Sequence, residues 1–198
     1  DSVLVARRTA DPLLRATAMV HLAATYFYAG EYARADSLHR EALPLLLATR
    51  GPRHPSVAEI HTNLGASAFQ RGDYALSEQE QRQALDIIRA WYGTDNPTTA
   101  SAITQVGRAV SRLERPDEAR ALLSEALAIQ LRTAGPNHPR VASALNELAS
   151  LDLAAKQFDE AEASYRRVRA IYQQVHGPDD WRTGIAISTL GAVANGRE

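Results

Sequence analysis

Cysteine is missing from all 198 residues, which removes thiolate nucleophiles, disulfides and thiolate-held zinc and leaves the redox compartment unread. Lysine is nearly missing too. Lys156 is the single example, and the other positive charges are arginines set among acidic residues for a net charge of −1. A phosphate-binding surface needs a basic stripe or a strongly basic balance, so nucleic acid is not an expected partner. Aromatic residues make up only 6% of the chain, whereas Ala and Leu are abundant. That balance favours helices packed through small side chains over a β-sandwich. Long apolar runs are absent as well: the stretch Ala42-Leu43-Pro44-Leu45-Leu46-Leu47-Ala48 falls far short of the ~20 residues that span a bilayer. No transmembrane helix and no membrane partner are expected. The residues from Asp1 onward show no charged start followed by an apolar stretch, so no secretory leader is expected here, and a cytoplasmic location is.

What is present is a repeat. Gly51, Gly93, Gly135 and Gly177 recur at a constant 42-residue interval. Pro55, Pro97, Pro139 and Trp181 keep the same interval, as do Tyr32, Tyr74, Pro116 and Phe158, and the small residues Ala35, Ser77, Ala119 and Ala161. Each glycine is a helix stop, expected to take a left-handed conformation. A start follows at once. His54, Asn96, His138 and Asp180 fall at the cap position, with proline at the first helical position of three of the four helices, where its missing N–H costs nothing. Apolar and small residues at Val57, Ala58, His61, Leu64, Gly65 and Ala68 have helical spacing, a break falls at Arg71-Gly72-Asp73-Tyr74, and a second helix runs to Gly93. The period is therefore helix, turn, longer helix, loop. Small residues at Ala23, Gly65, Gly107, Ala149 and Gly191, and at Ala42, Ala84 and Ala126, mark places where neighbouring helices approach closely. A unit of this kind cannot bury its apolar faces alone, so successive units stack.

The turn sequences Gly30-Glu31-Tyr32-Ala33-Arg34-Ala35, Gly72-Asp73-Tyr74, Asp117-Glu118-Ala119 and Phe158-Asp159-Glu160-Ala161, the second-helix triplets Glu41-Ala42-Leu43, Gln83-Ala84-Leu85 and Glu125-Ala126-Leu127, and the Gly-x-x-His-Pro loops carry a resemblance. Over residues 12 to 196 the chain resembles tetratricopeptide repeats of the 42-residue type found in kinesin light chains and many bacterial regulatory proteins. The resemblance implies an all-α, right-handed superhelix of stacked antiparallel helix pairs, and attachment to a bacterial regulatory or signalling protein. The expected domain covers residues 11–198, with repeats at 12–50, 55–92, 97–134 and 139–176 and a final unpaired or capping helix at 181–195. Residues 1–10 align with the tail of an earlier second helix. Departures fall at Glu114-Arg115-Pro116, where a differently shaped turn is expected, and at Lys156, which replaces a turn glycine.

No chemistry of catalysis emerges from the side chains. His54 and His138 occupy equivalent cap positions; His21 and His61 lie on adjacent first helices without an acidic residue at metal-ligand spacing; His39 and His176 stand alone. Acidic groups such as Glu78-Gln79-Glu80, Glu160-Ala161-Glu162 and Asp179-Asp180 read as solvated surface. There is no Gly-rich phosphate loop and no Gly-x-Ser-x-Gly turn, so no cofactor and no enzymatic activity are expected. Trp91, Tyr92 and Trp181 are large aromatics better read as packing at loop level than as anchors for a partner.

A binding surface is the remaining reading. The resemblance implies that first helices line a concave groove, and in the third repeat Ser101, Thr104, Gln105, Arg108, Ser111 and Arg112 form a polar stripe beside the packing face of Ala100, Ile103, Val106, Gly107 and Val110. The candidate residues for a partner peptide or helix are Asn63, Gln70, Thr104, Gln105, Arg108, Arg112, Asn146 and Glu147. The amides suit peptide backbone, and the two arginines suit carboxylates of an acidic segment. Against this stands pairing of Arg108 and Arg112 with Glu147 or Glu59. The alternative function is structural, a module that self-associates as a homodimer or spaces a larger protein.

Overall fold

The computed structural model describes residues 11–196 and contains, among them, nine α-helices and no strand. The reading of residues 1–10 as the tail of an earlier helix lies outside the described residues. Two compact units divide between Gly93 and Thr94. The first holds α1 (Pro12–Tyr28), α2 (Tyr32–Arg50), α3 (Pro55–Gln70) and α4 (Tyr74–Tyr92). The second holds α5 (Pro97–Ser111), α6 (Pro116–Ala134), α7 (Pro139–Ala154), α8 (Phe158–His176) and α9 (Trp181–Asn195). Within each unit consecutive helices pack as antiparallel pairs, α1 on α2 and α3 on α4, then α5 on α6 and α7 on α8, with α9 against α8.

Local chemistry sets each boundary. Asn96 accepts a hydrogen bond from the Thr98 amide at 2.8 Å, and Asp180 accepts one from the Arg182 amide at 2.9 Å. The two histidine caps work in the same way: the Nδ1 atoms of His54 and His138 accept from the amides of Ser56 and Arg140, each at 3.1 Å. That role fixes both rings with the proton on Nε2. At the end of each second helix, Gly51, Gly93, Gly135 and Gly177 have φ between 84° and 93°, but their ψ values are 162°, 172°, 164° and 167°. The expected left-handed cap is therefore corrected. This extended mirror-image region is open essentially to glycine alone, and it sends the chain outward rather than coiling it back.

The left-handed cap sits at the other turn, between the two helices of a pair. Gly30 and Gly72 have φ of 78° and 79°, and Glu114 and Lys156 take the same place with 54° and 59°. Glu114 keeps the positive φ of its glycine counterparts, but α5 stops one register position earlier than α3 and α7, and Arg115 has φ of −121° where Glu31, Asp73 and Gln157 have −83° to −86°, so this turn is shaped differently, as expected. The amides of Glu31, Asp73 and Gln157 reach back to the carbonyls of Tyr26, Ala68 and Asp152 at 2.8–2.9 Å, closing the helix end and holding the strained residue in place.

The core of each unit follows the repeat register. Ala16, Met19, Ala23, Ala35, Leu38, Ala42, Val57, Ile60 and Leu64 are buried together in the first unit. In the second, Val141, Ala142, Val168, Ile171 and Ala186 form one cluster, and Ala149, Ala161, Tyr165 and Val193 another. Small residues on first helices meet large ones on second helices. A Cβ built on Gly65 would lie 2.7 Å from the side chain of Gln81, and one on Gly107 would lie 2.9 Å from that of Leu123. Gly191 holds the same register position, yet nothing lies within 4 Å of its Cβ site. The close approach expected there is not made in α9.

Candidate functional site

In the second unit, the stripe on α5 separates into two kinds of residue. Ser101, Thr104 and Ser111 donate their hydroxyls to carbonyls of their own helix, at Pro97, Ala100 and Arg108, over 2.8–3.0 Å. Thr104 is also buried, at 4% exposure, so its side chain offers little to a ligand. Gln105 and Arg112 are exposed and Arg108 is half-buried. Across from them on α7 lie Asn146 and Glu147. The Nε atom of Arg108 is 4.0 Å from Oε1 of Glu147, at the outer limit of an ion pair. Burial raises the Glu147 carboxyl above its ordinary range, against the opposing pull of the Arg108 and Arg112 charges and a hydrogen bond from Asn146. The structure thus brings together four of the candidates, two cations with one amide and one partly buried carboxylate. Below them, the hydroxyls of Ser150 and Tyr165 are 3.1 Å apart.

The first unit carries the equivalent position, 84 residues earlier, with other chemistry. Ala24, Phe27 and Tyr28 of α1, His39 of α2, and Asn63 and Ala66 of α3 enclose a cavity of about 100 Å³. In the repeat register these correspond to Arg108, Ser111, Arg112, Leu123, Glu147 and Ser150. Asn63 Nδ2 lies 3.3 Å from His39 Nε2. His39 is 1% exposed and its Nδ1 has no protein partner. Desolvation lowers the His39 pKa below its ordinary value, with Asp36 pulling the other way. A neutral ring accepts from the Asn63 amide at Nε2 and so carries its proton on Nδ1. His39 had no assigned role in the sequence; its signal was the register shared with Gln81, Leu123 and Tyr165, all buried against small residues of the first helices. Gln70, the last residue of α3, is exposed and lies outside this cavity.

Other polar groups are structural. His61 pairs with Glu80 at 2.7 Å inside the α3–α4 pair rather than meeting His21, which is exposed. Buried Asp36 on α2 accepts from Arg71 at the end of α3 at 2.7 Å, and Arg71 also donates to Ser67 at 2.9 Å. Arg120 on α6 and Asp152 on α7 form the same clamp with charges exchanged, at 2.7 Å. Trp91 packs edge-to-face on His54 at 5.3 Å, and the Arg182 guanidinium lies 4.8 Å from the Trp181 ring. Among the described residues no group of histidines and carboxylates is arranged to hold a metal ion, and no helix is long and apolar enough to cross a membrane.

Comparison with known proteins places this geometry. A family model described as Tetratricopeptide repeat matches residues 14–79, 56–132, 105–174 and 140–197. No curated protein sequence matches the chain. Among solved structures, BtubC (BKLC) from P. vanneervenii is 27% identical with a TM-score of 0.80, over 99% of this chain and 80% of that one. A putative kinesin light chain with nearly identical TPR-like repeats from Podosopora anserina is 21% identical with a TM-score of 0.75, over 96% of this chain and 89% of that one. The Rap conjugation gene regulator of plasmid pLS20, solved in complex with the Phr* peptide, is 17% identical with a TM-score of 0.77, over 92% of this chain and 48% of that one.

Proposed function

We propose that this chain, which belongs to the tetratricopeptide repeat family, is a protein-interaction scaffold that holds an acidic peptide or helix against the first helices of its second unit. The observation that carries this reading is the convergence of Arg108, Arg112, Asn146 and Glu147 on the facing surfaces of α5 and α7. The Arg108 and Arg112 guanidiniums act on the Glu147 carboxylate at a partly solvated surface, where a partner carboxylate would meet charge-assisted donors. Gln105 and Asn146 supply amides for a peptide backbone. The acidic nature of the ligand is proposed from the presence of those two guanidiniums.

Peptide-display selection on the immobilised protein tests the reading. Binders should be enriched in Asp and Glu. The enrichment should vanish when Arg108→Gln and Arg112→Gln are combined, with the helical circular dichroism unchanged. Glutamine is preferred to glutamate because a new carboxylate at position 108 would face Glu147. Selection without acidic enrichment, or with the same enrichment on the double variant, would remove the proposal. Self-association remains a second reading because α9 exposes Trp181, Ile185 and Ile187. Light scattering across a concentration series distinguishes it: a dimer dispersed by Ile187→Lys supports it, and a monomer at all concentrations rejects it.

A further inference from the structure

The cavity bounded by α1, α2 and α3 has features that folding alone does not require. Its walls are Ala24, Phe27, Tyr28 and Ala66, with no charged side chain among the lining residues. Tyr28 is 87% exposed beside it, in edge-to-face contact with Phe27 at 5.8 Å, an aromatic surface left in water. Its floor is His39, fully buried, with Nδ1 lacking any protein partner. The equivalent residues in the next two repeats leave no such atom: Gln81 donates to the Thr62 carbonyl at 3.1 Å, and Leu123 has no polar atom to satisfy. A buried polar atom without a partner is costly, so the imidazole is not held here by its hydrogen bonds to the fold alone.

On its other nitrogen the ring meets Asn63. With the His39 ring neutral, Nε2 accepts from the Asn63 amide nitrogen, which fixes the amide and leaves Oδ1 to accept from something else. The cavity volume of about 100 Å³ is smaller than the roughly 150 Å³ that admits benzene, so it suits a few methyl-sized groups rather than an aromatic ring. We infer that the cavity between α1, α2 and α3 seats one branched aliphatic side chain, valine or leucine, of a bound peptide. Asn63 Oδ1 accepts the backbone N–H of that residue. His39 is a positioning residue that acts through Asn63. The biological partner rests on the peptide-holding reading above, but the recognition chemistry is independent of α5 and α7.

The test uses the whole chain, labelled with ¹⁵N, and titrates it with N-acetyl N-methylamides of glycine, alanine, valine, leucine and tryptophan. The amide resonances of Ala24, Phe27, Asn63 and Ala66 should shift with the valine and leucine probes, which should bind at least about tenfold more tightly than alanine. The tryptophan probe should not bind there. Filling the cavity with Ala66→Met should abolish the shifts, with the amide spectrum elsewhere unchanged. Asn63→Ala should weaken binding about tenfold, while Asn63→Gln should restore part of it. Shifts no larger for leucine than for glycine, or shifts that survive Ala66→Met, would overturn the assignment. Because the probes carry no charge, failure here leaves acidic enrichment in the display experiment standing, and failure of that enrichment leaves these titrations standing.

Discussion

Gly107→Ala asks whether helix propensity or close packing decides the residue at the crossing of α5 and α6. A Cβ at Gly107 would lie 2.9 Å from Leu123 Cγ, 3.0 Å from its Cδ2 and 3.4 Å from Leu122 Cβ. Leu123 is fully buried and has nowhere to withdraw. Alanine gains about 1 kcal/mol over glycine inside a helix, whereas overpacking a core costs about 1–3 kcal/mol. The net effect is a loss of up to about 2 kcal/mol. For a chain of this size each kcal/mol moves the melting temperature by roughly 2–4 °C. Leucine at 107, larger still, should cost more. The cycle is completed by Leu123→Ala, which alone should cost about 2–5 kcal/mol through the cavity it opens. In the Gly107→Ala background the new methyl enters that space, so Leu123→Ala should cost less there by about 1 kcal/mol. Gly191→Ala is the control, because its Cβ site is open, and it should stabilise by up to about 1 kcal/mol. Urea titrations followed by circular dichroism measure all five variants. Stabilisation by Gly107→Ala equal to that of Gly191→Ala, or a strictly additive cycle, would refute the packing argument.

Lys156→Gly, which relieves a left-handed residue with φ of 59°, should raise stability by up to about 1 kcal/mol, measured in the same titrations. Burial depresses the pKa of His39 below its ordinary 6.5, so the unfolded chain binds more protons. Its contribution to stability should be full above about pH 6.5 and be lost as the pH falls from there through the lower folded value, and His39→Gln should flatten that part of the profile. Glu147 has the opposite sign: burial raises its pKa, so its contribution is present below its ordinary 4.5 and lost as the pH rises through the folded value. Arg108→Gln should deepen that loss at pH 7, and adding Glu147→Gln should raise the melting temperature of the Arg108→Gln protein.

Much of the fold was legible because the 42-residue interval makes each repeat predict the next. The caps at Asn96 and Asp180, the proline starts and the small residues at Gly65 and Gly107 are all local signals with local causes. Backbone detail was less legible. A glycine reports that φ is positive but not which ψ accompanies it, so the extended exit at Gly51 was read as a left-handed cap. A repeat turn imposes its conformation even without glycine, as Lys156 shows. The polar stripe on α5 was visible as spacing, but hydroxyls that satisfy their own helix, as Thr104 does, have the same periodicity as side chains offered to a ligand. The cavity over His39 was hidden for another reason. It depends on which large residue a second helix places opposite a small one, and that choice leaves no periodic trace.

The register itself separates positions that hold the fold from positions whose chemistry varies between the units. The residues at 39, 81, 123 and 165 are His, Gln, Leu and Tyr, all buried, facing Ala23, Gly65, Gly107 and Ala149. The opposing small residue lets side chains of different polarity occupy one site while the helices keep their pairing. Around that site, positions 24, 27, 28, 63 and 66 are apolar or amide in the first unit, and their counterparts at 108, 111, 112, 147 and 150 are charged or hydroxylic in the second. The deep packing of each unit comes from residues such as Met19 and Ile60 or Ile103 and Val106, with Phe27 packed against the core of the first. A partly buried charge such as Glu147 keeps its countercharges, Arg108 and Arg112, beside it. Apolar and amide side chains in one unit and charged ones in the other are the outcome of a backbone that repeats and a surface that does not.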